Sequence, residues 1–362
     1  SSITVDWGDN TTPDTVTGTS LTARKSVSHS YASTGSYMIS ISAVTGSYSF
    51  YGSTSDLLLR KNTTSSENYV YSNCVKAIRI GNDIQTIGTY AFVYCYSLAS
   101  VTIPSSVTSI GGSAFQTCYS LASITIPSSV TSIGSGVFYN CCSLASIAIP
   151  SNVTSIGASM FYNCSLTSVT IPSNVTNIES YAFYNCPLTS VTIPSGVTSI
   201  GSYAFQNCRA LASITIPSGV TSIGDYAFDY CYSLANVTIP SSVTSIGSGV
   251  FYNCHSLASI TIPSNVTSIG ANAFYYCYSL ASIVIPSNVT SIGNKAFYCC
   301  YGTAKYQFKS TTPPTLGTTA FEGIVSDCVI YVPYSADHSV LEAYQTATNW
   351  STYAAKMQEE PQ

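Results

Sequence analysis

The ionisable side chains that could do chemistry in this chain are few and scattered. From residue 84 to residue 294 the only formal charges are Glu179, Arg209, Asp225 and Asp229. Asp225 and Asp229 are close enough in sequence to share a cation, but two carboxylates without further oxygen ligands make a weak calcium site, so each is expected as a solvated side chain. No carboxylate pair suggests glycoside hydrolysis. The three histidines, His29, His255 and His338, fall one to a region and define no Cys–His or Ser–His pair; His255, standing where other units carry Tyr, is expected to be exposed. Catalytic residues, metal ligands and cofactors are therefore expected to be absent. Two other residue types recur with strict spacing. Ten cysteines, from Cys95 to Cys300, each end a Phe-x-x-Cys element, and tyrosines cluster on either side of it.

The spacing comes from a repeat. The prolines Pro104, Pro127, Pro150, Pro172, Pro194, Pro217, Pro240, Pro263 and Pro286 are 22 or 23 residues apart. In the unit that begins at Leu98, Val101 and Ile103 alternate with Ser100 and Thr102, the pattern of a half-buried strand. Pro104 cannot donate to a continuing ladder and stops it. Val107 and Ile110 predict a second short extended segment on the opposite wall, Gly111 a turn, and Ala114, Phe115 and Cys118 a return to the interior. One such coil has too little apolar surface for a core of its own, so stacking must supply it. Stacked strands lie about 4.8 Å apart, near disulfide reach, but parallel side-chain vectors disfavour the required torsion. The ladder cysteines are therefore expected as buried thiols. Cys142 and Cys299, the extra members of vicinal pairs, are expected to be partly exposed.

The text Leu-x-x-Ile-x-Ile-Pro-x-x-Val-x-x-Ile-Gly-x-x-Ala-Phe-x-x-Cys resembles the leucine-rich repeat, in the BspA-like (Treponema-type) branch of bacterial surface proteins, over about residues 74–333. Because Cys precedes the strand and Ser or Asn follows Pro, the asparagine ladder common in leucine-rich repeats is not expected. Val5-Asp6-Trp7-Gly8-Asp9-Asn10, His29-Ser30-Tyr31 and residues 35–41 resemble a PKD domain, a small β-sandwich, here expected to be clipped at its start. The expected fold is mainly β: a leucine-rich-repeat solenoid of 22–23-residue coils, with a small N-terminal β-sandwich and a C-terminal cap containing short helices. The expected boundaries are 1–60 for the PKD-like domain, 61–73 for a polar linker, 74–300 for the repeats, and 301–362 for degenerate repeats and the cap, with helices over 339–346 and 350–357.

Composition narrows the function. Only 7% of the residues are charged, against about 25% in ordinary soluble domains, and the formal net charge is −4. No basic stripe could neutralise phosphates, so nucleic acid is not an expected partner. No run approaches the ~18–20 apolar residues of a transmembrane helix, and the regularly placed Ile, Val, Leu and Phe exclude disorder. No secretory leader is visible at Ser1-Ser2-Ile3, which suits a mature or trimmed chain. Strand positions barely differ between coils, whereas those around Phe-x-x-Cys vary. These variable positions give a candidate ligand-binding stripe: Tyr96, Tyr119, Tyr139, Tyr162, Tyr184, Arg209, Asp229, Tyr232, Tyr252, His255, Tyr275, Tyr278, Tyr298 and Tyr301. Tyrosine gives large amphipathic contact at low entropic cost. The alternative role for these rings is to shield the coil edges. The resemblance implies a non-enzymatic bacterial protein, secreted or on the cell surface, that binds a protein or glycan ligand on host, matrix or other cells. A carbohydrate-binding module of a secreted glycan-utilisation system is the second reading, since PKD-like domains accompany such enzymes.

Overall fold

The structure, a computed structural model, describes residues 2–6, 12–17, 38–45, 48–50, 76–82 and 84–361. The motifs Trp7–Asn10 and His29–Tyr31 of the PKD-like reading, and the 61–73 linker, lie outside the described residues. The chain divides into two compact units, Ser1–Val175 and Thr176–Gln362.

In the first unit β1 (Ser2–Asp6) runs antiparallel to both β2 (Asp14–Thr17) and β3 (Met38–Thr45). From β3 onward all pairing is parallel. β3 pairs with β5 (Ala77–Ile80), which pairs with β7 (Ser100–Thr102). On a second row β4 (Tyr48–Phe50) pairs with β6 (Ile84–Ile87), followed by β8 (Ser109–Ile110). Coils thus contribute a strand to each of two rows, except that those of Val169 and Val191 make only a single bridge in the first, and equivalent residues align: Ser123 opposite Ser146, Ile124 opposite Ile147.

The second unit repeats this pattern. Ser213–Thr215, Asn236–Thr238 and Ser259–Thr261 pair in register, as do Ser245–Ile246, Ser268–Ile269 and Ser291–Ile292. Within one coil Leu211, Ile214, Ile216, Val220, Ile223, Ala227, Phe228 and Cys231 are buried, each large apolar side chain contributing roughly 1.5–3 kcal/mol relative to exposure. The phenylalanines stack along both units, at 5.4–5.9 Å between Phe92, Phe115, Phe138 and Phe161 and at 5.2–5.8 Å from Phe183 to Phe297. Gly224 is required by close approach, since a Cβ there would lie 2.3 Å from the Ser202 backbone N.

The C-terminal segment covers the last coil. Helix α1 (Ser339–Thr346) forms where the sequence predicts it. Past Trp350 the second short helix also forms, as a 3₁₀ helix over Ser351–Lys356, but it is followed by a strand not expected, Met357–Glu359, parallel to Val329–Val332. That strand caps the open ladder edge, which a helix would leave unpaired. Trp350 is fully buried against Phe308 and Phe321, and its Nε1 donates to the Pro314 carbonyl at 2.7 Å.

Candidate functional site

The segment between the second strand and Cys positions the variable residues. It makes two left-handed residues per coil, one two positions before Phe and one immediately before Cys. In the coil of Phe228 these are Tyr226 (φ 58°) and Tyr230 (φ 56°). Successive segments are joined by backbone hydrogen bonds, such as Phe205 N to Ala227 O at 2.9 Å and Asn207 N to Asp229 O at 2.7 Å. The register of these bonds holds equivalent side chains one above another.

The ladder cysteines are buried, as the spacing implied. Their thiols donate to the phenylalanine carbonyl one coil back, Cys208 to Phe183 and Cys231 to Phe205, both at 3.2 Å. Burial pushes the Cys95, Cys141 and Cys300 thiols up to about 12, so they stay protonated and poorly nucleophilic. Cys142 is exposed as expected. Cys299 is not: it is 6% exposed, accepts a hydrogen bond from the Tyr301 hydroxyl at 3.1 Å, and lies against Gly323, where an added Cβ would come within 2.6 Å of its sulfur. The irregular coil after Cys300 folds over it, which the vicinal-pair argument did not anticipate. An asparagine ladder also exists, at the left-handed position before Cys. Asn163 Nδ2 donates to Asn140 Oδ1 at 3.0 Å in the first unit, and Asn207 to Asn185 in the second. Asparagine tolerates left-handed backbone, so it is favoured there and not at the strand.

The structure brings most stripe residues into stacks. In the first unit Tyr96 stacks on Tyr119 (5.1 Å) and Tyr139 on Tyr162 (4.4 Å). In the second, Tyr252, Tyr275 and Tyr298 stack at 4.6 and 4.7 Å. A parallel row runs Arg209, Tyr232, His255, Tyr278, Tyr301: the guanidinium sits 5.3 Å over Tyr232, His255 lies 4.6 Å from the rings on either side, and Tyr278 is 5.5 Å from Tyr301. His255 is half-buried in this row, against the exposed position expected, and burial lowers its pKa. Tyr184 instead packs at a tilt against Tyr181 (6.0 Å). Sequence reasoning missed Tyr181, Tyr203 and Tyr226, which stack at 4.7 and 5.2 Å. Their signal was present as a tyrosine two residues before Phe, but that position holds Ser, Gly, Asn or Lys in other coils.

Asp229 departs most from expectation. It is 3% exposed, whereas Asp225 is solvated with Oδ1 accepting from Ser248 N at 2.7 Å. Asp229 Oδ2 accepts from Gln206 Nε2 at 2.6 Å, while Oδ1 has no hydrogen-bond partner. Burial raises its pKa to about 7, opposed by the Gln206 hydrogen bond and by the nearby Tyr230 backbone N–H, whose own hydrogen bond goes to the Tyr252 carbonyl at 2.9 Å. Asp229 borders a cleft of about 380 Å³ lined by Tyr226, Tyr230, Tyr252 and Tyr275, with Asn272 and Lys295 beside them. The described residues contain no cluster of three or more His, Cys, Asp or Glu that could hold a metal ion.

Fold and site together define a leucine-rich-repeat β-solenoid carrying ordered aromatic ladders. The model for the BspA type leucine-rich repeat region matches residues 62–188, 133–257 and 176–304, and the chain belongs to that family of bacterial surface proteins. A leucine-rich cell surface protein of Faecalibacterium prausnitzii is 31% identical, with 86% of this chain and 94% of that chain covered and a TM-score of 0.50. A leucine-rich repeat protein of Bacteroides ovatus is 24% identical (79% and 92% covered, TM-score 0.40), and the pneumococcal vaccine antigen PcpA is 20% identical (80% and 68% covered, TM-score 0.49). No curated protein matches the chain. Among the described residues no helix is long and apolar enough to cross a membrane.

Proposed function

We propose that the chain is a non-enzymatic adhesion or recognition protein, exposed outside the bacterial cell, that binds a partner protein of host, matrix or neighbouring-cell origin through its tyrosine ladders. The observation that carries this reading is backbone strain. Tyr181, Tyr203, Tyr226, Tyr230 and Tyr276 all sit at φ between 56° and 61°. A bulky residue there costs about 1–2 kcal/mol, and Gly136, Gly249 and Asn272 at the position two before Phe, and Asn253 at the position before Cys, show that both accept residues better suited to them. Edge shielding alone would not favour tyrosine over them. Stacking also immobilises the rings before a partner arrives, which lowers the entropic cost of binding.

The second unit contributes Arg209, Tyr232, His255, Tyr278 and Tyr301, a row of the arginine and aromatic residues enriched at binding hot spots. Tyr301 is 52% exposed at its end. The test is binding of the purified chain to panels of purified matrix proteins and polysaccharides, with Tyr278→Ala and Tyr301→Ala. A protein ligand whose affinity drops at least tenfold in these variants supports the reading. Unchanged binding in both variants refutes the stripe, and exclusive binding to polysaccharide moves the assignment to the carbohydrate-binding alternative.

A further inference from the structure

Of the interruptions in the tyrosine rows of the second unit, the one at Asp229 borders a cavity. Asp229 stands where the three following coils carry Tyr252, Tyr275 and Tyr298. One coil further on, Gly249 (φ 60°) stands where Tyr203 and Tyr226 stand, and the Tyr226 ring occupies the space its side chain would fill: a Cβ on Gly249 would come within 2.2 Å of Tyr226 Cε1. Tyr226 and Tyr230 meet Tyr252 at 54° and 55°, much as Tyr276 meets Tyr298 at 50°, because these rings come from different ladder positions, whereas Tyr252 and Tyr275 share one and lie at 7°. The cleft lies beside the shortened side chain at Asp229.

We propose that this cleft is a binding site for a pyranose ring of an uncharged sugar, with the tyrosine faces packing on the ring's C–H surface and Asp229 Oδ1 taking a sugar hydroxyl. Three features select that chemistry. No protein group donates to Oδ1, which is buried and belongs to a residue bordering the cleft, so a ligand donor would remove an unsatisfied polar atom. Tyrosine rings meeting at an angle give apolar faces beside polar hydroxyls, the mixture a sugar presents in return. The Asn272 amide can donate and accept, as sugar hydroxyls require. Other classes fit less well. An apolar ligand leaves Oδ1 unpartnered; a cation meets the Lys295 ammonium on the same lining, and an anion meets Asp229. The cleft volume lies at the small end of ligand pockets, suited to one or two rings. This site shares Asp229, Tyr252 and Tyr275 with the candidate stripe, but it goes beyond the partner-binding reading, because it is argued from the unpartnered Oδ1 and the cleft beside it.

The test is saturation-transfer NMR of the full chain with methyl glycosides of glucose, galactose, mannose, fucose and N-acetylglucosamine, and with tetramethylammonium as the cationic probe. At least one glycoside should bind with millimolar Kd. Asp229→Asn and Gly249→Asn should each weaken it at least tenfold, the second by refilling the cleft with the residue found at position 272. Thr125→Ala, an exposed strand position in the other unit, should not. Adding the sugar should also shift the ¹³C carboxyl resonance of Asp229 in the unmodified protein, a readout independent of whether a variant folds. Silence of every glycoside, binding that survives both substitutions, an Asp229 signal unmoved at saturating sugar, or binding of tetramethylammonium alone would each overturn the assignment. Measuring matrix-protein binding on the same samples separates this outcome from failure of the stripe, which Tyr278→Ala and Tyr301→Ala address.

Discussion

Replacing Phe205 with alanine tests whether stability is carried from coil to coil by the aromatic spine. The ring is fully buried, 5.4 Å from Phe183 and 5.6 Å from Phe228, with interplanar angles of 12° and 5°. Truncating a buried phenylalanine costs about 3–5 kcal/mol, the larger values arising where the surroundings cannot collapse. They cannot collapse here: backbone hydrogen bonds fix Phe183 to Ala204 (2.8 Å) and Phe205 to Ala227 (2.9 Å), holding each coil at its spacing. A loss of about 4 kcal/mol is therefore expected. Stacked aromatic pairs add about 0.5–1.5 kcal/mol beyond burial, so the Phe205→Ala/Phe228→Ala double variant should lose less than the summed single losses by that amount. Phe205→Ala with Phe274→Ala, three coils apart, should add to within about 0.5 kcal/mol. Urea denaturation gives the totals. Native-state hydrogen exchange of the flanking amides assigns each loss to its coil, which matters because repeat arrays can unfold in stages. A loss below about 1 kcal/mol for Phe205→Ala, or a coupling to Phe274 as large as that to Phe228, would refute nearest-neighbour packing.

Other perturbations test other parts of the structure. An unfolded aspartate ionises near 3.9 but Asp229 near 7, so between these values the unfolded state holds fewer protons and stability falls as pH rises from about 4 to about 7. Three pKa units are a ceiling of about 4 kcal/mol; solvent in the cleft screens part of it, leaving on the order of 2 kcal/mol. Asp229→Asn should flatten that slope in urea titrations at pH 4.5 and 7.5, and an unchanged slope refutes the assignment. Thiol labelling followed by mass spectrometry should modify Cys142 rapidly in the native protein and the ladder cysteines only after denaturation; fast native labelling of Cys208 or Cys231 contradicts their burial. Gly224→Ala should destabilise by about 1–3 kcal/mol, because its Cβ would press on the Ser202 backbone; a melting temperature equal to that of the parent chain would count against that contact.

What was legible in the sequence follows from how each feature is specified. The coils, their two strands and the buried Phe and Cys are determined by apolar identity at fixed spacing, and Val101, Ile103, Val107, Phe115 and Cys118 announce themselves in any one unit. The stacking of Tyr252 on Tyr275 also follows from spacing, once coils are known to stack in register. Asp229 was not legible this way. Its charge marks it as a solvated residue when the unit is read alone, and its burial arises because Tyr226, Tyr230 and Tyr252, from its own and the next coil, close around it. Cys299 failed for the same reason, its cover coming from Gly323 in a degenerate coil whose path the repeat does not specify. The left-handed residues were hidden too, since tyrosine is a poor sequence marker of positive φ.

The departures from the repeat bear on function because copying makes them conspicuous. A solenoid built from one nearly constant coil needs no charge in its core and tolerates little variation on its strands. Any residue that breaks a ladder must therefore be supported by its neighbours or by something outside the chain. Arg209 and His255 break the tyrosine row and are absorbed by stacking on Tyr232 and Tyr278. Gln206 is absorbed by its hydrogen bond to Asp229. Asp229 is absorbed only in part: one carboxylate oxygen is matched and the other is not. That incomplete compensation, beside an open cleft, distinguishes Asp229 from the other substitutions along the ladders and makes it the position at which a ligand would complete the structure.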